Sequence, residues 1–286
     1  MKRLAASIVL SVFLLAGYSS CSGDKTNDNL HNDSLRDTIT GNQSPEDSVK
    51  TRFRKLVTAL PVPFDILNRF SGAHLPFHPE FLNSPDNASR YNLGTIQAAN
   101  LGVYGADLAY MISQDKLGDA APFLSCVHKL SDAIVVPSAF DDNILQRYDS
   151  NKSRKDSLQF LINTSYRRID STLEGNDRLM LASLVIYGGW VESIYLTTQH
   201  IGDDQQNEKN KVLFDMLAMQ QPYIDDFHDL LGSFPQDSTC NWLCREMKNI
   251  SRIYPSGNLP PDQFFQRLHA LRDSISGIRS RLIRIQ

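Results

Sequence analysis

The stretch Leu179-Met-Leu-Ala-Ser-Leu-Val-Ile-Tyr-Gly-Gly-Trp-Val191 decides the fold class, because Ser183 is the one polar side chain in it. A helix that is apolar on every side has to lie inside other protein or inside lipid. Thirteen uncharged residues fall short of the ~18 typical of a membrane span, and Glu192 then interrupts the run. The stretch predicts the buried central helix of an all-α domain, with Asn176 as its N-cap and Gly202 ending it in a left-handed turn.

Helical patterns continue on both sides of this stretch. Residues 88–113 predict a long helix that carries Gly94, Gly102 and Gly105. An interior glycine costs about 0.5–1 kcal/mol relative to alanine, so we expect another helix to approach closely there. The last helix begins at Pro261 and repeats apolar residues at alternating spacings of four and three, namely Phe264, Leu268, Leu271, Ile275, Ile278, Leu282 and Ile285. Because no segment alternates as strands do, the sequence predicts an all-α multi-helix bundle.

Two predicted helical segments are similar in sequence. Asp107-Leu-Ala-Tyr110-Met-Ile-Ser-Gln114 aligns without a gap on Glu192-Ser-Ile-Tyr195-Leu-Thr-Thr-Gln199, 85 residues further on. One explanation is a duplicated helical hairpin, whose two small-residue helices pack against each other in the core. The other explanation is chance similarity between two helices rich in glycine and tyrosine. The sequence leaves both explanations open.

The N-terminus has the three parts of an export signal. Lys2 and Arg3 supply the positive charge, residues 4–17 form an apolar run broken only by serine, and small residues lead into Cys21. The apolar run is too short for a transmembrane anchor. The pattern therefore predicts export.

The residues before Cys21 resemble the lipobox of bacterial lipoproteins, in which the cysteine is diacylated and becomes the first mature residue. Tyr18 departs from that motif, which usually has leucine three places before the cysteine. The resemblance implies lipidation of Cys21 and attachment to the membrane. The alternative is ordinary cleavage near Ser19, which would release a soluble periplasmic protein.

The remaining organisation follows from composition. Residues 22–45 are almost entirely polar and predict a disordered tether, because such a segment buries too little apolar surface to offset its ordering entropy. The globular helical domain is predicted over residues 46–286. A net charge of −3 gives no basic excess for nucleic acid. The expected partners are the membrane, through the lipid anchor, and an envelope protein; the expected location is the outer membrane.

Two segments resemble the signatures of a family of Bacteroidota lipoproteins of unknown function. They are Asn100-Leu-Gly-Val-Tyr-Gly-Ala-Asp-Leu-Ala-Tyr110 and Gly188-Gly-Trp-Val-Glu-Ser-Ile-Tyr195. The similarity extends over residues 61–199 and includes Phe81-Leu-Asn-Ser-Pro85 and Glu174-Gly-Asn-Asp-Arg178. The resemblance implies export and supplies no catalytic residue.

Asp107 and Glu192 are the first candidate site residues, because both lie on apolar, glycine-rich helices where a carboxylate must be paired or protonated. Two inward acids suit cation binding or acid–base chemistry. The structural alternative is that each acid accepts hydrogen bonds from a tyrosine one turn away, namely Tyr104, Tyr110 or Tyr195. Arg167 or Arg168 would then serve as the counter-ion. We prefer the structural role.

Two further clusters carry weaker signals. Asp225 and His228 have the spacing of a metal-ligand pair on one helix face, but a solvated acidic face explains them as well. Cys240 and Cys244 face the same way on a helix and could share a soft metal. A disulfide between two of Cys126, Cys240 and Cys244, with the third left over, is the second explanation. We prefer the third explanation, buried thiols.

The sequence contains no phosphate-binding loop, nucleophile elbow or zinc motif. It therefore predicts no catalytic residue, metal or cofactor. The expected function is a membrane-tethered, non-enzymatic interaction or scaffold module in the cell envelope. The alternative is a helical ligand- or metal-binding domain that uses the buried carboxylates.

Overall fold

The computed structural model describes residues 45–61, 69, 75–134, 144–151, 154–158, 160, 163–164, 178–204, 206–208, 210–257 and 259–284. Residues 43–286 belong to one compact unit. The main helices are α1 (Pro45–Ala59), α2 (Gly94–Ser113), α3 (Ala121–Ala133), α4 (Ile144–Asn151), α5 (Leu179–Ile201), α6 (Lys211–Gln220), α7 (Tyr223–Leu231), α8 (Ser238–Ile253) and α9 (Pro261–Ile283). Short 3₁₀ helices span Pro79–Phe81, Pro85–Ser89 and Leu117–Asp119. The described ranges contain no strand, and the prediction of an all-α bundle is confirmed.

The central helix is α5, as its all-round apolar sequence predicts. It contacts α1, α2, α6, α7 and α9, and most of its side chains are buried. It is the one helix in the described residues that is long and apolar enough to cross a membrane, but 78% of its apolar window is buried within the protein. The neighbouring helices thus provide the apolar environment that this sequence requires.

Glycines let α2 and α5 touch through their backbones. A Cβ atom at Gly102 would lie 2.0 Å from the Val185 carbonyl oxygen, and one at Gly188 would lie 1.9 Å from the Ala99 carbonyl oxygen. The Gly102 contact joins the first half of α2 to the first half of α5, and the Tyr110 hydroxyl near the end of α2 lies 2.9 Å from His200 Nε2 near the end of α5, so the two helices run parallel. The predicted close approach is confirmed for Gly102, whereas Gly94 has open space where its Cβ would be.

Several predicted boundaries need correction. The helix predicted from residue 88 begins at Gly94, because Pro85–Ser89 forms a separate 3₁₀ helix. Gln221 and Pro222 separate α6 from α7. Arg178 occupies the N-cap position of α5 without a side-chain cap bond, and Asn176 lies outside the described residues. Gly202 ends α5 with a φ of 56°, a positive value that favours glycine.

Helix α9 buries the predicted apolar seam and runs antiparallel to α2 and α5. Its buried seam residues are Leu268, Leu271, Ile275, Ile278 and Leu282. Ser276 accepts a hydrogen bond from Gln199 near the end of α5, while Leu282 lies beside Asn100 in the first half of α2. The seam is therefore internal to the bundle, and Ile285 lies outside the described residues.

Side chains from distant segments hold the C-terminal end of α9. The last carbonyls of a helix have no partner within the helix. Here Asn100 Nδ2 donates to the Leu282 carbonyl at 2.8 Å, and the Tyr91 hydroxyl donates to the Ile283 carbonyl at 3.3 Å. Asn83 in turn donates to the Tyr91 hydroxyl. This amide network fixes where α9 ends and so fixes the position of the side chains one turn earlier.

Candidate functional site

The carboxyl groups of Asp107 and Glu192 meet in the centre of the domain. Both side chains are completely buried, at 0% exposure. They lie at equivalent positions of the two similar segments on the packed helices α2 and α5, close enough for the charge of Glu192 to raise the pKa of Asp107. A duplicated hairpin related by a two-fold axis would place equivalent residues opposite each other in this way.

Arg279 of α9 is the counter-ion of this pair. Its Nε donates to Glu192 Oε2 at 2.6 Å, and its Nη2 donates to the Phe81 carbonyl oxygen at 2.6 Å. The guanidinium is only 6% exposed and stacks on the Tyr195 ring, 4.1 Å from the centroid. Burial alone would lower the pKa of Arg279, but the charge of Glu192 and the hydrogen bond to it raise this pKa overall.

The loop between the first two 3₁₀ helices completes the polar core with backbone groups. The Asn83 amide donates to Asp107 Oδ2 at 3.1 Å, and the Ser84 carbonyl accepts from the Tyr104 hydroxyl at 2.7 Å. The Phe81-Leu-Asn-Ser-Pro85 segment therefore contacts α2 and Arg279 through its main chain, and the Phe81 ring lies against Tyr195 of α5. This gives a physical reason for this segment to occur together with the two signature segments that contain Asp107 and Glu192.

Two oxygens of the pair remain without a donor. Asp107 Oδ1 and Glu192 Oε1 are buried and have no donor in the described part of the chain. Burial, and then the negative charge of Glu192, raise the pKa of Asp107 well above its usual range, although Arg279 and the Asn83 backbone amide act in the opposite direction. We infer that Asp107 carries a proton and donates it to Glu192, which would satisfy both oxygens at once. The group would then hold one carboxylate and one guanidinium, with a net charge of zero.

A metal ion fits this arrangement less well than a proton. Calcium takes 6–8 oxygen ligands, and magnesium requires near-octahedral coordination. Arg279 and the Asn83 amide already occupy one oxygen of each acid. The guanidinium also repels a cation. Among the described residues, no group of three or more His, Cys, Asp or Glu side chains is arranged to hold a metal.

The three predicted tyrosines surround this core but do not donate to the acids. Tyr104 donates to the Ser84 carbonyl, Tyr110 contacts His200, and Tyr195 presents its ring face to Arg279. The expectation that tyrosine hydroxyls satisfy the carboxylates is therefore wrong. Main-chain groups and Arg279 reach the acids instead, because the 3₁₀ loop and α9 lie closer to them than the hydroxyl ends of the tyrosine side chains.

A second polar cluster lies near the C-terminal ends of α2 and α5. The Tyr110 hydroxyl is 2.9 Å from His200 Nε2 and accepts from the His78 amide at 3.1 Å. His78 Nδ1 lies 2.8 Å from Glu80 Oε1. Burial, and then the charge of His78, lower the pKa of His200 to about 4, so its ring is neutral at pH 7 and its tautomer decides whether it donates to the Tyr110 hydroxyl or accepts from it. These histidines hold the loop before α2 against α5, and sequence reasoning missed them because they are far apart in the chain.

The weaker candidates do not form metal sites with further ligands in the described part of the chain. His228 Nδ1 lies 3.3 Å from Asp229 Oδ1, and Asp226 pairs with Lys55 of α1 at 2.6 Å. Cys126, Cys240 and Cys244 are free thiols. Burial raises the pKa of Cys126 to about 11, which suppresses thiolate reactivity.

Sequence reasoning also missed Arg279 and placed the counter-ion on Arg167 or Arg168, which lie outside the described residues. A signal was present, because Arg279 is four residues after Ile275 and next to Ile278 in the apolar seam of α9. A charged residue within an apolar face needs a buried partner.

No protein-family model, curated protein or solved structure matches the chain.

Proposed function

We propose that the chain is an exported lipoprotein of the Bacteroidota type that its signatures resemble. An acylated Cys21 anchors it in the outer membrane, and the helical domain acts as a non-enzymatic interaction or scaffold module of the cell envelope. This cellular location is supported by the lipobox-like residues before Cys21 and by the polar composition of residues 22–45.

One observation carries the proposal of a non-enzymatic module. The most conspicuous acids of the sequence are buried in the core, where Glu192 accepts from Arg279 at 2.6 Å and Asp107 accepts from the Asn83 amide. Two surface clefts formed by described residues are lined by other side chains. The hydrogen bonds of the two acids join α2, α5, α9 and the 3₁₀ loop. The acids therefore stabilise the fold, and we expect the domain to bind its envelope partners through its surface.

The lipid anchor is tested by Cys21→Ala. We expect this variant to leave the membrane fraction and to lose labelling by palmitate, because it has no thiol to acylate. Cys244→Ala, which removes a partly buried thiol, should remain in the membrane fraction and keep its label. Unchanged fractionation of the Cys21 variant would contradict the lipoprotein assignment.

The alternative function, ligand binding through the carboxylates, is favoured by the two oxygens that lack donors among the described residues. Asp107→Asn separates the two proposals, because an asparagine amide replaces the protonated acid without changing its shape. If the acids only hold the core, this variant should keep every envelope partner that is captured with the wild-type protein. Loss of those partners from a folded Asp107→Asn protein would favour the alternative.

A further inference from the structure

A surface cleft between α7 and α8 is separate from the buried carboxyl pair. Its volume is about 280 Å³, slightly below the range typical of sites for drug-sized ligands. It is lined by Asp225 and His228 from α7, and by Met247, Lys248, Ser251 and Arg252 from α8. A cleft of this size suits a molecule no larger than a single amino acid.

The antiparallel packing of the two helices gives the cleft walls of opposite charge. The Cys244 thiol donates to the His228 carbonyl at 3.5 Å, which sets the register of α7 against α8. Asp225 lies in the first turn of α7 and Arg252 in the last turn of α8, so the two face each other across the cleft. Lys248 precedes Arg252 by four residues and therefore lies on the same helix face. Met247, which is completely buried, lies beneath the cleft.

The charges that line the cleft are not used elsewhere. Asp226 is held by Lys55 at 2.6 Å. In contrast, Asp225, Lys248 and Arg252 make no ion pair in the part of the chain that the structure describes, although they share one cleft. Two cationic groups and one carboxylate leave an excess of one positive charge.

We propose that this cleft binds a small amino acid that carries two carboxylates and one ammonium group. Asp225 would accept from the ammonium group. Arg252 suits one carboxylate because its planar guanidinium donates two parallel hydrogen bonds, and Lys248 suits the other as a point charge. The single negative charge of such a ligand balances the excess positive charge of the cleft, and Met247 directly beneath it would report on binding.

The proposal is tested by methyl NMR on the full-length chain labelled at methionine, with L-glutamate as the probe. We expect a saturable shift of the Met247 methyl resonance, whereas the Met219 methyl on α6 should not move. Arg252→Gln and Asp225→Asn should each weaken binding by about tenfold or more, since each removes a charged hydrogen bond. Both side chains are exposed, so these variants should fold normally.

Matched controls decide whether the site is specific. Arg245→Gln removes an exposed charge from the same helix but outside the cleft, and it should leave binding unchanged. Glutarate, which lacks the ammonium group, should bind more weakly than glutamate. The proposal is overturned by the absence of a saturable Met247 shift, by equal binding of glutarate, or by equal weakening in Arg245→Gln. Cys21→Ala should not alter binding, so the outcome is independent of the proposed lipid anchor.

Discussion

Arg279→Met should lower the free energy of unfolding by about 3–5 kcal/mol at neutral pH, the loss typical of removing one partner from a buried ion pair. In the wild type, the guanidinium compensates the one negative charge shared by Asp107 and Glu192. Without it, the folded variant must keep both carboxyls protonated or bury an unpaired charge. The Phe81 carbonyl also loses its donor. Urea denaturation of both proteins measures the difference.

The loss of unfolding free energy caused by Arg279→Met should become smaller as the pH falls. If the folded variant avoids an unpaired buried charge, it holds two protons on the pair, whereas its unfolded chain releases them above a pKa of about 4. The folded state therefore binds more protons than the unfolded state, and its stability rises on acidification by about 1.4 kcal/mol per pH unit for each additional proton bound. We expect the variant to recover much of its deficit relative to the wild type near pH 4.

Arg281→Met is the matched control for this prediction. Arg281 lies on the same helix and stacks on the Trp242 ring at 3.9 Å, but it is exposed. Its loss should cost less than about 1 kcal/mol, as for an exposed cation–π contact, and should not depend on pH. Equal and pH-independent losses in the two variants would contradict the buried ion pair.

Gly188→Ala should destabilise the domain by about 3 kcal/mol, the upper end of the usual cost of overpacking. The added Cβ would meet the Ala99 carbonyl oxygen at 1.9 Å, and both atoms belong to helix backbones that cannot rotate away. Helices α2 and α5 would have to separate, which would also disturb the Asp107–Glu192 pair. Thermal or urea denaturation of the variant measures the loss.

Gly277→Ala provides the comparison, because no atom outside the local helix backbone lies within 4 Å of the position that a Cβ would take at this residue of α9. An alanine there should stabilise the helix by about 0.5–1 kcal/mol, since it reduces the conformational freedom of the unfolded chain. If both alanine variants proved stabilising, the close crossing of α2 and α5 would be wrong.

The sequence predicts those features that depend on local patterns. The apolar stretch from Leu179 requires burial on every side, and the seam of α9 indicates which face packs inward. The glycine at 102 indicates close approach, although only the structure shows that its partner is α5. The gapless alignment of Asp107 with Glu192 left duplication and chance similarity both open, and only the structure shows that the two acids lie near each other.

The contacts of the acids could not be predicted, because they depend on segments far apart in the chain. Arg279 is 87 residues from Glu192, and Asn83 reaches Asp107 through a backbone amide, a group that every non-proline residue carries. Side-chain patterns therefore favoured the nearby tyrosines and the arginines of the preceding segment. The path of the 3₁₀ loop and the end of α9 determine which groups reach the acids.

The central claim is that Asp107 and Glu192 share one proton in a closed structural core. Carbon-13 NMR of the aspartate and glutamate carboxyl groups at neutral pH tests it most directly. We expect one resonance typical of a protonated acid, which persists at neutral pH, is insensitive to chelator and disappears in Asp107→Asn. If both carboxyls are instead ionised at neutral pH, and chelator lowers the melting temperature of the wild type alone, a bound cation holds the pair and the structural account is wrong.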